Sequence, residues 1–133
     1  MYLLDTKVIS ELRKKKPHGA VLEWINRVPD SALFLCALTL GEMQAGVEIT
    51  KQQDQEKARQ IEAWLDQVAA TFNVLPMDGT MFREWARMMH KQSDTVYEDA
   101  MIAACAKVHG LTAVTRKVRG FRRFSVNVYN PFA

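Results

Sequence analysis

Short apolar runs alternate with helix-like stretches along this chain, and no other feature limits its fold as strongly. The apolar runs predict strands, and they are YLLD at 2–5, ALFLCAL at 32–38, NVL at 73–75, LTAVT at 111–115 and VNVY at 126–129. Strands separated by helices favour a parallel sheet that is covered on both faces, so the predicted fold class is α/β. Neither a linker nor a repeat interrupts the pattern, and we expect residues 1–133 to form a single domain.

Local signals predict where several helices begin and end. Thr39–Glu42 and Thr95–Glu98 both fit the S/T-x-x-E capping box, which predicts helices starting there. Asp78 is predicted to cap the helix that follows it, and Gly110 to end the helix that begins near Thr95. Residues 53–70 contain no proline or glycine and place apolar side chains on one stripe, which predicts a long amphipathic helix.

Three acids fall near the predicted ends of strands. Asp5 follows the first strand, Glu42 lies in the predicted first turn after the second, and Asp99 lies in the first turn of the helix before the fourth. In parallel sheets ligands bind beyond the carboxyl ends of the strands. Three carboxylates gathered there would repel one another unless a cation neutralised them, and oxygen ligands suit Mg²⁺ or Mn²⁺.

Each of these acids also has a purely structural interpretation. Asp5 could cap a helix, Glu42 could be the reciprocal partner in the capping box of Thr39, and Asp99 could complement a helix dipole. The local patterns leave both interpretations open.

Five segments, taken together and in order, carry a resemblance. They are LLDTKVISEL, ALTLGEMQAGV, EDAMIAACAKVHGL, AVTRKVRGF and VNVYNPF. The chain closely resembles the VapC-type toxins of the PIN-domain family over nearly its whole length. The resemblance implies a three-layer PIN fold, in which Asp5, Glu42 and Asp99 coordinate Mg²⁺ and act in catalysis. It also implies RNA cleavage, neutralisation by a tightly bound VapB-type antitoxin, and assembly into a homodimer and larger toxin–antitoxin complexes.

The matched positions suggest a supporting role for two threonines. Thr6 and Thr115 fall at polar positions beside the implied site. Thr6 is expected to hydrogen-bond a carboxylate and hold its rotamer, as outer partners of metal ligands do. The alternative for both threonines is an ordinary turn hydroxyl.

Three residues depart from the family pattern. Lys7 stands where the family usually has asparagine. Lys117 stands where it usually offers an acid or amide, and Gly120 where it often has another acid. A lysine in the pocket would compete with Mg²⁺. Alternatively, it would stabilise charge on the scissile phosphate or extend outward into water.

The net charge of +3 is concentrated in two basic clusters. The run RKVRGFRRF interleaves two phenylalanines with cations that we expect to bind the substrate, and these cations are Arg116, Lys117, Arg119, Arg122 and Arg123. The competing interpretation places Phe121 and Phe124 in the core and the cations on an exposed rim. The block at residues 13–16 is predicted to be an exposed helix end.

Other features suggest an intracellular protein. Cys36 and Cys105 lack metal-site spacing and are predicted to be buried, reduced thiols. The first residues do not form a signal peptide, and no apolar run approaches the ~18 residues of a membrane span. The expected location is the cytoplasm. The methionine-rich stretch at 77–89 is predicted to be core, or a dimer or antitoxin groove if exposed.

We therefore predict a Mg²⁺-dependent endoribonuclease that is the toxin of a toxin–antitoxin pair. The alternative function is a catalytically weakened PIN-like domain that binds antitoxin or RNA, which Lys7, Lys117 and Gly120 favour. A phosphoacceptor receiver domain needs an aspartate that ends the third strand. It is disfavoured, because the segment NVLPMD offers only Asp78, which follows Pro76 and is better interpreted as a cap.

Overall fold

Five parallel strands form the centre of the computed structural model, which describes residues 1–133. The strands are β1 Tyr2–Leu4, β2 Leu33–Cys36, β3 Asn73–Leu75, β4 Thr112–Val114 and β5 Val128–Tyr129. Their order across the sheet is β3-β2-β1-β4-β5, and every neighbouring pair is parallel. The central position of β1 brings the residues that follow β1, β2 and β4 to one edge of the sheet.

Seven α-helices connect the strands and cover the sheet. They are α1 Thr6–Leu12, α2 Gly19–Arg27, α3 Ala37–Lys51, α4 Gln55–Thr71, α5 Gly79–Met89, α6 Tyr97–His109 and α7 Val118–Arg122. Two 3₁₀ turns, Asp30–Ala32 and Asp94–Val96, precede β2 and α6. The three-layer α/β fold predicted from the sequence is confirmed.

Alternating side chains of the strands build two separate cores. Leu3 and Ala113 are in a cluster with buried residues of α5, α6 and α7, whereas Leu4 and Val114 are in a cluster with residues of α1, α2 and α4. Successive side chains of a strand point to opposite faces, so β1, β2 and β4 each contribute to both clusters. The central sheet is therefore buried on both faces, and its carboxyl edge remains for polar residues.

Both capping-box predictions were wrong. Helix α3 begins at Ala37, so Thr39 lies inside its first turn and Glu42 falls in the second turn rather than the first. The buried Thr39 hydroxyl lies 2.9 Å from the Thr6 hydroxyl. Thr95 belongs to a 3₁₀ turn whose N-cap is Ser93, and α6 begins only at Tyr97. In both places a neighbouring side chain takes the threonine hydroxyl away from the helix amides.

The other helix signals are confirmed. Asp78 accepts a hydrogen bond from the Met81 amide, and Gly110 ends α6 with φ = +65°. The helix predicted over residues 53–70 is α4, which Asp54 caps. Residues 13–16 are exposed, as predicted.

The structure decides between the alternatives for the apolar residues of two segments. Phe121 and Phe124 are buried in the core, so neither ring is available to stack on a base. Met81 is buried, while Met77, Met88 and Met89 pack partly against the same cluster.

Both cysteines are buried free thiols. No helix is both long and apolar enough to span a membrane.

Candidate active site

Asp5 lies at the junction of the two central strands. Its backbone amide donates to the Val114 carbonyl at 2.9 Å, and its side chain is only 4% exposed. The Thr115 hydroxyl donates to Asp5 Oδ2 at 2.9 Å and accepts from the Lys117 amide at 2.9 Å. The carboxylate makes no capping bond to α1 although it occupies the N-cap position. The structural interpretation of Asp5 as a helix cap is therefore wrong.

Glu42 is held by the first residue of α1. The Thr6 hydroxyl donates to Glu42 Oε1 at 2.8 Å. Since this donation uses the only hydroxyl proton of Thr6, the Thr39 hydroxyl is the donor in the 2.9 Å bond between the two threonines. Glu42 is therefore not the partner of Thr39 in a capping box, and a chain of three side chains sets its position.

Asp99 faces Lys117 across the site. Lys117 Nζ lies 3.4 Å from Asp99 Oδ1 and 3.5 Å from Oδ2. The Lys117 side chain is 45% exposed, so water screens this pair and its net contribution to stability is small. Lys117 nevertheless points toward the acids and does not extend freely into water.

The acids share one cavity of about 170 Å³ at the carboxyl edge of the sheet. Its lining residues are Asp5, Thr6, Lys7, Glu42, Thr95, Glu98, Asp99, Ile102 and Lys117. Glu98 was not predicted as a site residue, because the capping-box pattern assigned it to a helix start. The signal that identifies it is helical spacing, since residues 98, 99 and 102 fall on one face of α6.

Crowding and burial change the acidity of two of these groups. The pKa of Asp5 is raised, chiefly by burial and further by the charge of Asp99, while Thr115 and Lys117 oppose this rise. The pKa of Glu42 is also raised, chiefly by burial, with contributions from the charges of Glu98, Asp5 and Asp99. The hydrogen bond from Thr6 opposes the rise at Glu42. The charged forms of both carboxylates are therefore less favourable here than they would be in water.

The donor set of the cavity fits a hard cation. Four carboxylates line it, together with threonine hydroxyls, and neither imidazole nor thiolate is present. Such oxygen donors suit Mg²⁺ or Mn²⁺ that keeps part of its water shell. No three histidine, cysteine or acidic side chains are grouped closely enough to hold a metal ion as they stand. Direct ligation of one ion by Asp5, Glu42 and Asp99 together would bring these side chains closer, whereas contacts through the ion's own water ligands would not need this.

The predicted substrate-binding cations are divided among different surfaces. Lys117 lines the carboxylate cavity, and Arg116 lines a neighbouring one. Arg119 and Arg122 are exposed on α7. Arg123 borders a third cavity beside α5 and α6, which shares no lining residue with the carboxylate cavity.

Comparisons with known proteins agree with this architecture. The sequence model of the family described as "PIN domain" matches residues 2–126. The chain is 34% identical to plasmid stability protein StbB of Pseudomonas syringae pv. tomato, with 99% of both chains covered. It is 34% identical to VapC ribonuclease Y4jK of Sinorhizobium fredii (99% of this chain, 98% of the relative) and 31% identical to toxin FitB of Neisseria gonorrhoeae (99% of both). The crystal structure of FitAcB from Neisseria gonorrhoeae superposes with a TM-score of 0.88 at 31% identity, covering 99% of both chains.

Proposed function

Because this chain belongs to the PIN-domain family, we propose that it is a metal-dependent endoribonuclease and the toxin of a toxin–antitoxin pair. The observation that carries the proposal is the single cavity in which Asp5, Glu42, Glu98 and Asp99 meet. Relatives along the whole chain are named as a VapC ribonuclease and as a toxin, which supports both parts of the proposal.

The reaction is hydrolysis of an RNA phosphodiester bond. Asp5, Glu42 and Asp99 are the proposed metal ligands, and Mg²⁺, or Mn²⁺ in its place, would supply a Lewis acid and lower the pKa of an attacking water. Thr115 holds one oxygen of Asp5, which leaves the other oxygen for coordination. Thr6 fixes Glu42 in the same way.

The carboxylates and lysines of the cavity divide the remaining tasks. Glu42 is the proposed proton acceptor for the attacking water, because its carboxylate lines the cavity and the Thr6 hydroxyl holds only one of its oxygens. Lys117 neutralises Asp99 before substrate enters. A cation at Asp99 would compete with this pairing, so Lys117 is expected to weaken metal binding.

The substrate and partners follow from the same assignment. The RNA strand would contact the cations Arg116, Lys117, Arg119, Arg122 and Arg123. A VapB-type antitoxin is the proposed inhibitor, within a toxin homodimer or a larger complex. The proposed location is the cytoplasm, where RNA is available.

Cleavage of an RNA pool by the purified protein tests the proposal. We expect cleavage with Mg²⁺, none with EDTA, and none with Asp5→Asn in either condition. Asp66→Asn is the matched control, because this exposed acid on α4 lies outside the cavity. Absence of metal-dependent cleavage, or equal activity of the two variants, would contradict the proposal.

One observation favours a second candidate, a binding module without chemistry. Lys117 already neutralises Asp99, and the acids are not grouped tightly enough to hold an ion as they stand. This candidate predicts RNA binding without cleavage even at saturating Mg²⁺, so the same assay separates the two functions.

A further inference from the structure

A second cavity adjoins the carboxylate cavity. Its volume is about 400 Å³, and it is lined by Lys7, Ser10, Glu11, Lys14, Arg116 and Phe132. Lys7 lines both cavities. Arg116 directly precedes Lys117, which lines the carboxylate cavity. The two cavities are therefore neighbours on the surface. We call the second of them the basic cavity.

Helix α1 builds one wall of the basic cavity. Residues 7, 10 and 11 follow the i, i+3, i+4 spacing that places side chains on one face of a helix, and Lys14 follows just beyond the end of α1. Val8 and Ile9 point the other way and are fully buried in the core. Because the apolar face of α1 is packed in the core, its polar face is held in a fixed orientation toward the cavity.

Arg116 is positioned opposite this wall by an aromatic ring. Its guanidinium carbon lies 3.8 Å from the centre of the Phe132 ring, which also packs edge-on against His18 at 5.3 Å. Neither Arg116 nor Lys7 forms an ion pair with any acid of the chain. The Arg116 N–H donors are therefore held in place without a carboxylate partner, as in sites that bind anions through arginine.

The one acid of the basic cavity is already satisfied by the protein. Glu11 accepts from Lys14 Nζ at 2.9 Å through one oxygen and from the His18 amide at 2.9 Å through the other. These bonds lower the pKa of Glu11, with a smaller contribution from the charge of Arg116, so Glu11 stays ionised and holds Lys14 at the rim. Three cations and one anion line the cavity, which leaves two positive charges for a ligand.

The geometry points to a phosphate subsite: the basic cavity binds an RNA phosphate that neighbours the scissile one. Arg116 and Lys7 contact this phosphate, and Lys14 and the Ser10 hydroxyl complete the site. Planar N–H donors of arginine match phosphate oxygens in a bidentate way. The inference rests on the proposed function, because the carboxylate cavity defines which phosphate is cleaved.

Binding of a labelled single-stranded RNA to metal-free protein in EDTA tests the subsite without cleavage. We expect Arg116→Gln/Lys14→Gln to weaken binding roughly tenfold. The slope of log affinity against log salt should fall by up to about 1.4, or ~0.7 for each lost phosphate contact. Lys15→Gln/Lys16→Gln is the matched control, because it removes the same charge from exposed neighbours that line neither cavity. It should bind nearly as wild type.

Two further measurements separate a lost contact from a disturbed fold. Arg116→Gln alone leaves the Glu11–Lys14 pair intact and should show about half of the change in salt slope. After the cleavage position is mapped with wild type, a neutral methylphosphonate is placed on either side of it. On one side of the cleavage position, the methylphosphonate should weaken RNA binding by wild type but not by the double variant. The reason is that the two changes remove the same contact, so their effects are not additive.

Equal affinities of the double variant and its control, with wild-type cleavage intact, would overturn the subsite and leave the proposed function standing. A methylphosphonate that weakens both proteins equally on both sides would also overturn it. A wild type that neither binds nor cleaves RNA would refute the proposed function itself.

Discussion

At the scale of single residues, the site concentrates negative charge where water is largely excluded. Asp5 is almost fully buried, and only the Thr115 hydroxyl offers it a side-chain hydrogen bond. A buried carboxylate without a paired cation favours its protonated form, which is why its pKa is raised. Keeping Asp5 ionised therefore lowers the free energy of unfolding of the metal-free protein, and it leaves the carboxylate available for a cation.

The first prediction concerns this cost. A raised folded pKa means that Asp5 stabilises the fold below its unfolded pKa of ~3.9, and that this stability is lost as the pH rises through the folded pKa. At pH 7 without metal, Asp5→Asn should therefore unfold no more easily than wild type. The free energy of unfolding of the variant should exceed that of wild type by roughly 1.4 kcal/mol for each unit by which the pKa of Asp5 is raised. This difference should shrink as the pH falls toward 4.

Urea denaturation of both proteins between pH 4 and 7 measures the difference, with Asp66→Asn as the control for an exposed acid. Asn keeps a carbonyl oxygen for the Thr115 hydroxyl, so the hydrogen bond survives. A variant that is markedly less stable at pH 7 would show that the Asp5 charge supports the fold.

The second prediction concerns Lys117, which competes with a cation for Asp99. At an effective dielectric of about 20, a charge ~5 Å from the ion interacts by roughly 3 kcal/mol before screening. Because Lys117 is 45% exposed, we retain a third of this, about 1 kcal/mol, which is around fivefold in affinity. Lys117→Asp should shift the Mg²⁺ dependence of cleavage to lower concentration, and Lys117→Ala should shift it less.

A Mg²⁺ titration of cleavage by wild type and both variants gives the answer, with Lys57→Asp on α4 as the control for the charge change. Reduced cleavage by both variants at saturating Mg²⁺ would instead assign Lys117 to the phosphate. Superimposable curves would contradict either role.

At the scale of secondary-structure elements, the helix ends show when a residue with a capping pattern in the sequence caps its helix. Asp54 and Asp78 cap α4 and α5, because no distant side chain competes for their carboxylates. Thr39 matches a cap pattern equally well, but its hydroxyl bonds Thr6, 33 residues away in the chain. Tertiary contacts therefore decide whether a local cap forms, and at Thr39 they favour the active site.

The third prediction tests the α5 cap. Asp78→Ala removes the acceptor for the Met81 amide and should lower the free energy of unfolding by about 1 kcal/mol. Asp78→Asn keeps an acceptor and should cost only a few tenths of a kcal/mol. Urea denaturation compares them with Asp66→Ala, an exposed mid-helix control. Equal losses for Ala and Asn at position 78 would contradict the capping role.

The fourth prediction uses two glycines of opposite effect. Gly110 has φ = +65°, and an added methyl group would meet nothing within 4 Å, so Gly110→Ala should cost about 1 kcal/mol through backbone strain alone. Gly46 lies inside α3, also with open space, and Gly46→Ala should gain roughly 0.5–1 kcal/mol. Thermal melts of both variants measure the signs, and two changes of the same sign would refute the argument.

At the scale of the whole molecule, one edge of the sheet gathers groups that are distant in sequence. Residues 5, 42 and 99 lie in three different segments of the chain. The parallel sheet with β1 at its centre brings them to one cavity. A cation there would connect α1, α3 and α6 and relieve the repulsion among their acids. Metal binding and the stability of the fold are therefore expected to be coupled.

The fifth prediction measures this coupling. An ion that binds only the folded state adds about 2.7 kcal/mol at a concentration of 100 times its Kd, which raises the Tm by several degrees in a domain of this size. Mg²⁺ should raise the Tm of wild type more than that of Asp5→Asn, whereas NaCl of equal ionic strength should not distinguish them. Equal shifts for the two proteins would indicate that the ion does not bind at Asp5.

Local patterns of the sequence determined the fold class and the caps at Asp78 and Gly110, whereas the resemblance to a family pointed to three of the four acids in the cavity. Local patterns suffice for the fold class and the caps because strand alternation, helical spacing and the αL preference of glycine act between residues that are near in the chain. The order of strands and helices then brings Asp5, Glu42 and Asp99 to one edge of the sheet.

Only the tertiary structure decided which partner each polar side chain takes. The bond from Thr6 to Glu42, the pairing of Lys117 with Asp99 and the place of Glu98 in the cavity all join different elements. The contact of Arg116 with Phe132, which positions a wall of the basic cavity, does so as well. Such contacts depend on how helices pack across the sheet, and packing sums many weak interactions between residues distant in sequence. No short pattern contains that sum, which is why two well-formed capping boxes failed while the sheet edge was predicted.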